Sequence, residues 1–183
     1  ELGLGTPREP IRLTLAGEAI ALRAPGSGLD HTLAMARFAQ TRIASLVSQG
    51  LDGYVFKSRS PSCGLAVEVL GPEGPLPQLA RGRFAEALAL ELPELPLCEE
   101  SDLDHDPTRE SFLRRVRCHA WLRGPAPPDL ATLQDFHEGL RAHLDPPTHE
   151  QLGELLSGAL GPEEFARYRS ELLWALSPER ERA

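Results

Sequence analysis

The sequence has no asparagine, three isoleucines and, beside eighteen arginines, a single lysine, Lys57. A bias that has removed lysine almost everywhere else marks Lys57 as a position where a compact ammonium does what a planar guanidinium does not. Cysteine is scarce as well. Cys63, Cys98 and Cys118 are odd in number, far apart and never arranged as C-x-x-C, which excludes a disulfide framework and leaves a metal ligand or a reactive thiol open. No apolar run approaches the roughly 20 residues that cross a bilayer. No basic stretch followed by an apolar one stands at the N-terminus, so no signal peptide is predicted and a cytoplasmic location is expected by default. Internal repeats and low-complexity tracts are also missing, and no basic stripe of the kind that binds nucleic acid is present.

What charge there is lies unevenly. The formal net charge is −8, and residues 86–106 hold eight acidic and no basic residues. Residues 1–85 hold nine basic and seven acidic residues, and residues 107–183 hold ten and twelve. The acidic block reads as a solvated connector between two parts of different character.

The first part carries the signals of an α/β fold. Residues 1–12, rich in glycine and proline, read as a turn. Ile11 to Arg23 alternates like two short strands about a turn at Gly17. A helix is predicted over 31–49, capped by Asp30 and stopped by Gly50, with Met35, Phe38, Ala39, Ile43, Leu46 and Val47 on one face. A buried strand follows at Tyr54-Val55-Phe56, then a polar loop, then a strand over Leu65–Leu70. Gly71 to Pro77 reads as a turn, and Leu79, Phe84, Ala87 and Leu88 as a helix ending near Leu92. From Asp106 the pattern changes to four amphipathic helices, one of them opened by a capping box at Thr148-x-x-Gln151. The predicted class is therefore α/β, a partial Rossmann-like parallel sheet with flanking helices over residues 1–105, followed by an all-α helical domain over 106–183.

The loop after the buried strand, Lys57-Ser58-Arg59-Ser60-Pro61-Ser62-Cys63-Gly64, packs one thiol, three hydroxyls and two cations into eight positions. Loops at the carboxyl ends of parallel strands are where open α/β sheets place ligands. Taken with E-L-G-L-G-T-P-R-E-P at the start and Asp30-His31-Thr32 before the first helix, K-S-R-S-P-S-C-G resembles the thiouracil desulfidase family, long known only as a domain of unknown function. The resemblance covers roughly residues 1–105. Residues 106–183 are similar to a helical domain fused to one branch of that family, through D-P-T-R-E-S-F-L-R-R-V at Asp106–Val116 and the F-H pair ending at His137. Relatives follow that pair with His-Lys, where this sequence has Leu140-Arg141.

The resemblance, and not the spacing, implies a chemistry. In the family three cysteines hold a 4Fe-4S cluster with one iron left open to the sulfur of a thiolated pyrimidine or its nucleotide, and water replaces that sulfur. Cys63 would be a cluster ligand, Ser60 and Glu1 the catalytic groups, and Thr6, Arg8, Lys57, Arg59 and Ser62 the holders of substrate. The family places its other two cluster cysteines upstream of Glu1. Cys98 and Cys118 do not fall at those positions, so the chain is expected to be an N-terminally truncated and inactive form. A non-catalytic binding module, with the helical half contacting a partner, is the competing expectation.

Overall fold

The structure is a computed structural model that describes residues 9–124, 127–158 and 160–177. By its internal contacts the chain divides into two compact units, Glu1–Arg109 and Glu110–Ala183. The first is α/β and the second helical, as the patterning predicts.

In the first unit, β1 (Arg12–Ala16) and β2 (Ala19–Ala24) form a hairpin about Gly17, with Leu13 opposite Leu22. A short β3 (Leu29–Asp30) extends it. Helix α1 (Thr32–Gln49) follows, then β4 (Tyr54–Phe56), β5 (Val67–Gly71), β6 (Gly74–Ala80), α2 (Arg83–Glu91) and β7 (Leu97–Glu99). Five strands make a mixed sheet in the order β3-β2-β1-β5-β6, and β4 and β7 make a second, two-stranded one. Among the described residues, parallel pairing is confined to β1 with β5 and β4 with β7; the other pairs are antiparallel.

The predicted first helix is present, with Met35, Ala39, Ile43 and Leu46 buried and Gly50 closing it in the left-handed conformation at φ 65°. His31, not Asp30, occupies the cap position, while Asp30 accepts a hydrogen bond from the Thr32 amide at 2.9 Å. The expected turn over 71–77 is a β-hairpin instead. Pro75 and Pro77 lie in β6, which is an edge strand, where a missing amide leaves no interior ladder bond unmade. Leu79 belongs to that strand, and α2 starts only at Arg83.

The core of this unit joins Leu13, Leu22 and Val69 from the sheet to the buried face of α1 and to Phe84, Ala85 and Leu88 of α2. Phe56 is 2% exposed and lies in an aromatic cluster with Tyr54, 4.7 Å away between centroids, and Phe84, 6.3 Å away. Truncating a phenylalanine so placed costs about 3–5 kcal/mol. The cluster therefore fixes β4 against the start of α2, the two elements that frame the loop between them.

Helix α3 (Asp106–Leu122) begins four residues before the boundary, and the second unit holds the rest of it with α4 (Leu130–Gly139), α5 (Pro146–Leu155) and α6 (Pro162–Ala175). Leu133, Leu152, Leu156, Tyr168 and Leu172 form its innermost layer. The N-caps are Asp129 and Asp145, whose carboxylates accept from the amides of Thr132 and Thr148 at 3.0 and 3.1 Å. The capping signal expected at Thr148 thus belongs to Asp145, and Thr148 sits inside the first turn behind Pro146.

Candidate functional site

The loop from Lys57 to Gly64 leaves the carboxyl end of β4 and is held from three directions. Within itself it turns on the Ser60 carbonyl, which accepts from the amides of Cys63 at 3.1 Å and Gly64 at 2.7 Å. Arg59 takes the left-handed conformation at φ 56°, unusual for a residue with a Cβ. The Ser60 and Ser62 hydroxyls lie 3.0 Å apart. The thiol of Cys63 is half-buried, packs against the unit's core and points its Sγ at the Lys57 carbonyl, 4.0 Å away. Lys57 and Arg59 are exposed.

From α2, the Gly82 amide donates to the Gly64 carbonyl at 2.8 Å, Arg83 to Pro61 at 3.3 Å and Phe84 to Ser62 at 2.7 Å. These are the orphan donors of a helix start. Here loop carbonyls satisfy them, so the N-terminus of α2 is occupied by protein and not open to an anion. The approach is close enough to need glycine: a Cβ on Gly82 would lie 2.5 Å from the Cys63 nitrogen and 2.6 Å from the Ser62 carbonyl carbon.

The third hold comes from the acidic segment. Parallel pairing of β4 with β7 sets Phe56 opposite Glu99, so the residues just beyond each strand end come together. The Glu100 carboxylate accepts from the Ser58 amide and, at 3.1 Å, from the Ser58 hydroxyl. That backbone N–H, more than any other neighbour, holds the Glu100 carboxyl below the usual carboxylate range, and the Lys57 charge adds to it. Glu99 accepts from the Leu65 amide at 2.6 Å. The segment expected to be a solvated connector therefore serves the loop. Nothing local marks Glu99, Glu100 or Gly82 as supports of the loop; a strand pairing across some forty residues of chain brings in the two acids, and the start of α2 brings in Gly82.

Of the residues expected at the site, Lys57, Arg59, Ser60, Ser62 and Cys63 share this one loop. Glu1, Thr6 and Arg8 lie outside the described residues. The other thiols are elsewhere: Cys98 is buried in β7, and Cys118 is buried in α3, where desolvation pushes it up to about 11. Among the described residues no group of three His, Cys, Asp or Glu side chains is placed to hold a metal ion. No helix among them is long and apolar enough to cross a membrane. A groove of about 530 Å³ lies between α1 and α2, lined by Ala36, Gln40, Ile43, Arg83, Ala87 and Leu90 among others, and no loop residue lines it.

Comparison with curated proteins gives no match, and comparison with solved structures gives none either. A family model described as 2-thiouracil desulfurase matches residues 1–100, more than half of the 183 residues and the whole of the loop and its three supports. With the K-S-R-S-P-S-C-G loop at a strand end inside that span, the chain belongs to the 2-thiouracil desulfurase family.

Proposed function

We propose that the first unit is the reaction domain of an enzyme that removes sulfur from a thiolated pyrimidine, 2-thiouracil or its nucleotide, and that the Lys57–Gly64 loop is where it acts. One observation carries this reading. The part of the family match with the densest chemistry is a loop whose backbone is fixed by α2 and by Glu99 and Glu100, while its two cations stay exposed. The net reaction exchanges a thiocarbonyl sulfur for the oxygen of water, giving uracil and hydrogen sulfide with no change in redox state.

In this reading Cys63 is the thiol that meets sulfur or iron, both soft partners. The Ser60 hydroxyl, in contact with that of Ser62, positions or passes a proton. Lys57 and Arg59 hold the anionic part of the substrate, with Ser62, Thr6 and Arg8 as further holders and Glu1 as the acid–base group. The 4Fe-4S cluster that the resemblance implies does not fit the donors present, since such clusters are held by several thiolates. Only Cys63 lies in the loop, and Cys98 and Cys118 are each 3% exposed. Cys63 would supply one of the several thiolates that such a cluster needs.

The test is anaerobic incubation of the protein, with any natural sequence preceding Glu1 included, together with iron, sulfide and then 2-thiouracil. Equal amounts of uracil and newly released sulfide are expected. A preparation that shows iron–sulfur absorbance yet releases neither would refute the assignment.

A further inference from the structure

Two residues of the acidic segment, Glu99 and Glu100, reach the loop with their side chains, one at each end of it. Glu100 binds Ser58 through both backbone and hydroxyl. Glu99 binds the Leu65 amide at 2.6 Å. Glu99 is itself fixed: its amide donates to the Asp102 carboxylate at 2.9 Å, and its own carboxylate also accepts from the Asp102 amide in a capping box that opens the 3-10 turn Glu100–Asp104. One carboxylate thus bridges the end of the loop and the start of that turn. Charge-assisted bonds of this kind are shorter and stronger than neutral ones.

The support from α2 is backbone to backbone and grips the middle of the loop at Pro61, Ser62 and Gly64. Its bonds do not reach Ser58 or Leu65. Without the two acids the loop would keep a fixed centre but gain loose ends; Cys63 belongs to that centre, yet its half-buried thiol points at the Lys57 carbonyl, next to the Ser58 latch, and stands two residues from the Leu65 latch.

We propose that Glu99 and Glu100 are positioning residues that latch both ends of the Lys57–Leu65 loop and so set how far the Cys63 thiol is presented. This rests on reading the loop as the reaction site, but its test needs no substrate. Iodoacetamide labelling of Cys63, located by peptide mass spectrometry, is compared in the whole chain between wild type, E99A, E100A, E99Q and E100Q. Amide exchange at Ser58 and Leu65 is followed by NMR in the same proteins.

The alanine variants are expected to label Cys63 roughly tenfold faster, the effect of one lost charge-assisted hydrogen bond, with the urea midpoint lowered by no more than the loss of that bond accounts for. The glutamine variants, which keep an acceptor oxygen, should return within about twofold of wild type. Exchange should quicken at Ser58 in E100A and at Leu65 in E99A, with Tyr54–Phe56 unaffected. Wild-type labelling and exchange in the alanine variants would overturn the latch. If those variants fail to fold, the wild type decides: Ser58 and Leu65 amides that exchange as fast as in an unstructured chain likewise overturn it. A chain that shows the latch but releases no sulfide from 2-thiouracil would defeat the functional reading and leave this one standing.

Discussion

Gly82 has no side chain because the backbone of Cys63 occupies the space one would need. An added Cβ would meet three main-chain atoms, Cys63 N, Ser62 C and Gly64 N, all within 2.9 Å, and main chain cannot swing aside as a side-chain tip can. Gly82→Ala is therefore expected to cost about 1–3 kcal/mol and to displace the loop; urea unfolding together with Cys63 labelling would show both effects, and a wild-type midpoint would contradict the packing described. Arg59 is the opposite case, a bulky residue held at φ 56° where a left-handed backbone costs about 1–2 kcal/mol. Such conformations persist where surrounding bonds over-determine them, often at functional sites. Arg59→Gly relieves that cost while adding unfolded-state freedom worth about 0.5–1 kcal/mol. Stability should stay within about 1 kcal/mol of wild type while the affinity for an anionic substrate falls, a separation that urea midpoints and KM for a thiouridine nucleotide would reveal.

Among the elements, the helices were the most legible in the sequence, because a helix buries one stripe and takes its caps from neighbours three or four residues away. The stripe of α1 could be read locally apart from Val47, which is exposed, whereas α5 starts one turn before the start read at Thr148. Strand β6 could not: Gly74, Pro75 and Pro77 read as a turn, and only its place at the edge of the sheet makes them acceptable in a strand. The roles of Glu99 and Glu100 were hidden for a similar reason, since their partners are brought in by the β4–β7 pairing. Asp145 illustrates a cap found one turn early, and Asp145→Ala should lower the stability of the helical unit, read from its urea midpoint, by about 1 kcal/mol. The same unit holds a buried pair, His137 stacked on His149 at 4.1 Å. The His149 carbonyl lies 3.0 Å from Nε2 of His137 and can only accept, so Nε2 carries the proton and Nδ1, 3.2 Å from the Tyr168 hydroxyl, is the acceptor. Burial first, and His149 next, lower the pKa of His137 below the roughly 6.5 of an unfolded chain. The unfolded state then takes up its proton at higher pH than the folded one, so stability is greatest above about pH 6.5 and is lost as pH falls from there toward the folded value. Both tryptophans, Trp121 and Trp174, lie in this unit, and their fluorescence gives the check: the urea midpoint should be lower at about pH 5.5 than at about pH 7.5, and a pH-independent midpoint would contradict a neutral His137.

At the scale of the whole molecule, the chain is an α/β unit that carries the family match, followed by a helical unit. The negative charge concentrated over residues 86–106 has a structural use at Glu99 and Glu100, so part of the imbalance that looked like a linker is the loop's own framework. Cys63 is the thiol that lies in the loop, with Cys98 and Cys118 buried elsewhere, so the proposed sulfur chemistry turns on one residue. The most direct test compares the protein, any natural sequence before Glu1 included, with its Cys63→Ser variant for sulfide released from 2-thiouracil without oxygen. Release by the wild type and at least about a hundredfold less from the variant, as for loss of a metal ligand or its support, is the predicted result; equal release from both would contradict it.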